Sequence, residues 1–97
     1  MAFSFVLLSE TRKELNEIIA YYFELTPELA EDFTIKFYDS LNLIVESPLA
    51  FRKIKSHYRK VNLIRFPYKV IFRVNENVIT VVAICHQKRR PFYWRGR

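Results

Sequence analysis

The densest chemistry in this chain lies at its C-terminal end. Lys88-Arg89-Arg90-Pro91-Phe92-Tyr93-Trp94-Arg95-Gly96-Arg97 interleaves five cations with three adjacent aromatic residues. Such cations can neutralise phosphates, and arginine and aromatic planes can stack on bases. The same residues also read as a strap, with Phe92 and Trp94 folded onto the core while the charges stay in water. His86 follows an apolar run, where a hydrogen-bonded structural histidine is more common than a general acid or base. Cys85 reads as a small buried hydrophobe, because no neighbouring pattern would make it a nucleophile. His57, in the basic connection Arg52-Lys53-Ile54-Lys55-Ser56-His57, reads as a solvated loop residue. His57, Cys85 and His86 have no recognisable metal-ligand spacing, and Gly96, the only glycine, cannot form a phosphate-cradling loop. No cofactor is implied.

Charge is unevenly divided along the chain. Residues 1–50 carry three basic side chains (Arg12, Lys13, Lys36) against nine acidic ones, a net of −6. Residues 51–97 carry thirteen basic side chains against one acid, Glu76, a net of +12. A basic half of this size creates a field for polyanions or acidic protein surfaces, which is attraction rather than chemistry. Ninety-seven residues, 51% of them hydrophobic, suit one domain spanning residues 1–97 and exclude a low-complexity chain. A single cysteine rules out an internal disulfide and fits a reducing compartment. Met1 to Leu8 lacks a basic leader region and a cleavage site, and no apolar stretch approaches the roughly 18 residues needed to span a bilayer. The expectation is a soluble, cytoplasmic protein without a membrane partner.

These side chains must be positioned by a small set of elements. Phe3 to Leu8 reads as a short strand. Ser9 or Thr11 offers a helix N-cap, and Thr11-Arg12-Lys13-Glu14 has capping-box spacing. Leu15, Ile18, Ile19, Tyr22 and Phe23 then form one apolar helical stripe. Thr26-Pro27-Glu28 starts a second helix with a cap, a first-turn proline and an acid at the positive dipole end. Its stripe is Ala30, Phe33, Phe37, Leu41, Ile44 and Val45, and it stops near Ser47-Pro48. Phe33, Phe37 and Tyr38 read as core aromatics rather than a ligand cage.

Arg59 to Arg65, Tyr68 to Val74 and Val78 to Cys85 read as three strands, the last two joined by Asn75-Glu76-Asn77. Alternation sets Val61, Leu63, Val70, Phe72 and Val74 on one face, and Lys60, Asn62, Lys69 and Arg73 on the other with Ile64 and Ile71. The third run is apolar on both faces and is expected to be the central strand. The predicted fold is α+β, with an antiparallel sheet of three C-terminal strands plus the N-terminal strand. Helices pack on one face, and the opposite face is open and basic.

The β-α-α-β-β-β order, Phe66-Pro67-Tyr68-Lys69-Val70-Ile71-Phe72-Arg73, and the ending His86-Gln87-Lys88-Arg89-Arg90-Pro91 with Trp94 make the chain resemble the RelE/ParE superfamily of bacterial type II toxins. The resemblance covers essentially the whole chain. It implies a growth-inhibiting toxin of the plasmid-stabilising kind, neutralised by a cognate antitoxin in a hetero-oligomer. Tyr21 and Tyr22 read first as packing residues of the helical hairpin, and the resemblance adds that this is where the family often meets its antitoxin. ParE-like members inhibit DNA gyrase; RelE-like members enter the ribosome and cut mRNA. The His-x-x-Arg-x-Pro ending looks more like the ParE side.

On the gyrase reading, Lys88, Arg89, Arg90, Trp94 and Arg95 form the target-binding surface. On the nuclease reading, Lys69, Arg73, Lys88 and Arg89 hold phosphate while His86 or Tyr93 moves protons, as metal-free RNA cleavage requires. Lys69 stands where RelE-like nucleases often have arginine, so a planar bidentate donor is replaced by a point charge. Trp94 meets the family's terminal tyrosine and has no proton to supply for the reaction. A non-toxic basic module binding nucleic acid or an acidic protein is the third class.

Overall fold

The computed structural model describes residues 3–97. Strand β1 (Ser4–Leu7) leads into helix α1 (Ser9–Leu25), helix α2 (Pro27–Glu46) and a 3-10 turn (Pro48–Ala50). Strands β2 (Lys53–Lys55), β3 (Tyr58–Asn62), β4 (Tyr68–Asn75) and β5 (Val78–His86) follow. Thr26 alone joins the helices. Its N–H donates to the Tyr22 carbonyl to close α1, and its hydroxyl accepts from Leu29 N–H at 3.1 Å to open α2. Pro27 occupies the first turn, and α2 ends where Ser47-Pro48 cannot continue it.

The start of α1 departs from the capping-box expectation. The helix begins at Ser9 after Leu8, with no side-chain cap. Thr11 and Glu14 lie inside it and reach β5 instead. The Thr11 hydroxyl donates to the Val81 carbonyl at 2.9 Å, and Glu14 Oε1 accepts from Ile84 N–H at 3.1 Å. The reason is topological: β1 runs parallel to β5 and delivers the first turn of α1 onto that strand.

The sheet has five strands in the order β1-β5-β4-β3-β2, parallel at β1–β5 and antiparallel elsewhere. The all-apolar run β5 is therefore interior, but β4 is the middle strand. Strand β2 has no signature in the sequence because Lys-Ile-Lys is too short for a periodic signal. Strand β3 stops at Asn62 rather than Arg65. Arg65 adopts a left-handed φ of 75°, and Phe66 turns into the core. At the β4–β5 turn it is Glu76, not an asparagine, that takes positive φ.

Alternation assigns the two faces as the sequence predicts. Val61, Leu63, Val70, Phe72 and Val74 pack with Phe33, Phe37, Leu41 and Ile44 of α2 and Leu15 and Ile18 of α1. Each fully buried phenylalanine here contributes about 2–3 kcal/mol by removal from water. The helical stripes are narrower than predicted, since Phe23 and Tyr38 remain exposed. A bulge in β5 pairs Ile71 with Ala83 but Phe72 with Val81. Val82 is the extra residue, and Val82, Ala83 and Cys85 join the second face of the sheet. That face is not open as expected: Trp94 seals it, packed with Tyr58, Ile71, Val82, Ala83 and Cys85. No helix among the described residues is long and apolar enough to cross a membrane.

Candidate functional site

The basic segment leaves β5 through a tight turn. Gln87 N–H donates to the Pro67 carbonyl, Arg89 N–H to the His86 carbonyl, and Lys88 N–H to His86 Nδ1 at 3.0 Å. The chain then returns across the sheet, passing through a left-handed Phe92 with φ 57°. Trp94 is 1% exposed, its ring edge-on to Tyr58 at 4.7 Å between centroids. Beyond it, the Arg97 main-chain oxygen accepts from Tyr58 Oη at 3.1 Å and from Arg73 Nε at 3.3 Å. Arg97 Nη1 donates to the Val82 carbonyl at 3.0 Å and to Glu14 Oε2 at 3.1 Å. Tyr93 Oη donates to the same Glu14 oxygen at 2.7 Å.

The residues nominated for proton and phosphate chemistry are brought together only in part: Lys69, Arg89 and Tyr93 lie near Cys85, while Arg73 stands apart and His86 faces the other side of the sheet. Lys69 and Arg73 share the tail-covered face, four residues apart on β4 and thus about 13 Å apart along the strand, with Ile71 between them. Lys69 lines a depression of about 360 Å³ with Lys60, Asn62 and Gln87, whereas Arg73 is held against Arg97. His86 pairs in register with Tyr68 on the other face and stacks edge-on against its ring at 5.0 Å. It borders a separate depression between α1 and β5 that Glu14, Tyr21 and Arg89 also line. Its Nδ1 acts as an acceptor, which puts a neutral ring's proton on Nε2. Burial, followed by the hydrogen bond to the Glu14 carboxylate, pushes the Tyr93 hydroxyl well above its ordinary pKa, so it holds its proton through the neutral range. Burial also raises the Cys85 thiol, and that side chain is a core group.

Of the side chains nominated for target binding, Lys88, Arg89, Arg90 and Arg95 are exposed. Trp94, expected on the target-binding surface, is instead buried: its indole is the wedge that fixes the tail, and its ring offers no surface to a partner. Burying so large an apolar ring outweighs leaving it in water. None of the four exposed cations is paired with a carboxylate among the described residues, where the ion pairs are Lys36–Asp32, Arg65–Asp32 and Arg97–Glu14. The Arg89 guanidinium sits 4.0 Å over the Tyr93 ring.

Glu14, Tyr58 and Arg97 are parts of this site that the sequence reading did not single out. A signal for Glu14 existed, since Thr11, Glu14, Leu15 and Ile18 fall on one helical stripe. A carboxylate on the buried stripe needs polar partners from elsewhere in the fold.

Residues 6–91 match the family described as the ParE toxin of the type II toxin–antitoxin system parDE. Toxin ParE2 of Mycobacterium tuberculosis, from strains H37Rv and CDC 1551, is 29% identical over 79 residues, which cover 80% of this chain and 75% of that protein. A solved chain from the chromosomal ParDE TA system of P. aeruginosa superposes with a TM-score of 0.77 at 19% identity, covering 88% of this chain and 96% of its own. An arginine-substituted mutant of E. coli toxin RelE in the free state superposes at 0.62 and 19% identity, covering 91% of this chain and 86% of its own. The two structural likenesses carry the fold, and the match along residues 6–91 carries the family: the chain belongs to the ParE toxins of type II toxin–antitoxin systems, within the RelE/ParE superfamily.

Proposed function

We propose that this chain inhibits bacterial growth by binding DNA gyrase through its basic tail, without chemistry of its own, and that a cognate antitoxin neutralises it. The observation that carries this reading is that the two proton-handling side chains, Tyr93 and His86, are each committed to a separate partner. Tyr93 is committed to Glu14, His86 lies on the opposite sheet face from Lys69, and Arg73 is engaged by the tail. Nucleophile activation and leaving-group protonation need a free base and a free acid around one phosphate, whereas Tyr93 donates its hydroxyl to Glu14 and His86 Nδ1 accepts from Lys88 N–H. The exposed cations Lys88, Arg89 and Arg90, with Arg95 further along the tail, instead present positive charge suited to an acidic protein surface.

An acidic, otherwise disordered antitoxin segment would offset that charge and cover exposed apolar side chains of the hairpin such as Tyr21 and Phe23. The product is a toxin–antitoxin hetero-oligomer. Pulse labelling of DNA and protein synthesis within minutes of inducing the toxin alone tests the reading. DNA synthesis is expected to fall first while translation continues. Early loss of protein synthesis would overturn the gyrase assignment in favour of a ribosomal nuclease, and harmless expression would favour a plain binding module.

A further inference from the structure

Strand β1 covers the outer edge of β5 only as far as Val81, where the register Ser4↔Val78 to Leu7↔Val81 ends. Beyond that point β5 still presents backbone groups that would be costly to bury unpaired. Side chains finish the edge. The Val82 carbonyl accepts from Arg97 Nη1, and the Ile84 N–H donates to Glu14 Oε1. Glu14 is thus anchored to the sheet by one oxygen, which leaves Oε2 aimed at the tail. There it accepts from both the Tyr93 hydroxyl at 2.7 Å and Arg97 Nη1 at 3.1 Å. The Glu14 side chain is 13% exposed and that of Arg97 20%, so these charge-assisted bonds are largely shielded from water.

The Tyr93 ring held in this way is the platform on which the Arg89 guanidinium lies, 4.0 Å from the centroid. The connection therefore runs from α1 through Glu14 and Tyr93 to an exposed cation of the basic segment. Tyr93 and Arg97 both pull on one oxygen, so removing that carboxylate releases two points of the tail together. It also leaves the Ile84 N–H unpaired. The Trp94 wedge and the Tyr58 and Arg73 bonds to Arg97 act further along and do not reach Arg89.

We infer that Glu14 is the positioning residue of the target-binding tail: from helix α1 it sets where Tyr93, and hence Arg89, is presented. The inference rests on the tail being the target-binding surface. The structural half of it is read separately, without gyrase.

The experiment measures amide hydrogen exchange of the free full-length toxin, and gyrase supercoiling inhibition in parallel, for wild type, Glu14→Ala, Glu14→Gln and Tyr93→Phe. In Glu14→Ala, exchange across residues 88–97 should rise roughly tenfold while β4 keeps its protection, as expected when local opening loses a charge-assisted anchor. Glu14→Gln keeps a single carbonyl oxygen, which can accept from Ile84 N–H or from Tyr93 Oη but not from both, and should recover part of the protection. Tyr93→Phe removes one hydroxyl without disturbing the β5 edge, so it remains informative if Glu14→Ala does not fold. It should loosen residues 88–93 and weaken gyrase inhibition by raising the concentration required rather than lowering the maximal effect. Unchanged tail exchange in both Glu14→Ala and Tyr93→Phe overturns the inference, as does a loosened tail with undiminished gyrase inhibition. A wild-type protein that leaves gyrase untouched overturns the functional reading, while the exchange data still decide whether Glu14 holds the tail.

Discussion

The two faces of the sheet are buried by different means. The face toward α1 and α2 is closed by area: Phe33, Phe37, Ile44, Val70 and Phe72 are fully buried in one continuous apolar cluster that needs no directional bonds. The face toward the tail is closed by one wedge, Trp94, and a rim of hydrogen bonds that converge on Glu14 and on the Arg97 main-chain oxygen. Apolar area is non-directional and tolerates substitution of similar volume. A hydrogen-bonded rim fixes geometry at a few points and fails locally when one point is lost. The helix face supplies stability, and the tail face holds in place the segment that carries the exposed charge.

The contrast can be broken from the helix side first. Phe37→Ala should cost about 3–5 kcal/mol of unfolding free energy, measured by urea titration, and should loosen every element together. Trp94→Ala is expected near the lower end of that range, about 3 kcal/mol, with hydrogen exchange rising in the tail well before β4. If both variants lose protection uniformly, the two faces are one cooperative unit and the comparison fails. Tyr93→Phe should cost about 1.5 kcal/mol, as for loss of a hydrogen bond to a charged acceptor, again read by urea titration.

A pH scan sharpens the same point. The folded-state pKa of Tyr93 is raised by burial and then by the Glu14 carboxylate, so the folded protein holds this proton more tightly than the unfolded chain. Its contribution is fully present below the unfolded tyrosine value of about 10 and is lost as pH rises beyond it. Tyr22 and Tyr68 are raised in the same direction by burial. Thermal melts between neutral pH and pH 11 should therefore show stability falling at the alkaline end, with a shallower fall in Tyr93→Phe. The smallest effect on stability is expected for the double charge reversal Arg89→Glu and Arg90→Glu, within about 0.5 kcal/mol. Toxicity should nonetheless be lost, and a toxic variant with reversed charge would remove the tail from the target-binding role.

Much of the fold was legible because periodicity reports burial. The α2 stripe and the division of Val70 and Phe72 from Lys69 and Arg73 follow from spacings of 3.6 and 2 residues. What escaped was short or shared between elements. Lys53-Ile54-Lys55 is a strand only because β3 is beside it. Thr11 and Glu14 match a capping box by spacing, yet their side chains serve β5, because the parallel β1–β5 pairing sets α1 over that strand. The ambiguity of the tail was resolved by packing: Trp94 enters a slot of Tyr58, Ile71 and Val82 that forms only after β3, β4 and β5 have paired.

By itself, the order of residues determined the charge division between the two halves, the helical hairpin, the apolar runs of the sheet and the family to which the chain belongs. Those properties are local or additive, and a sequence carries them directly. Only the tertiary structure decided that Tyr93 gives its hydroxyl to a carboxylate 79 residues earlier in the chain, and that His86 and Lys69 lie on opposite faces. Such contacts depend on strand register, on a bulge at Val82 and on the crossover that carries α1 across β5. No local propensity encodes them, because each exists only once the whole sheet is assembled.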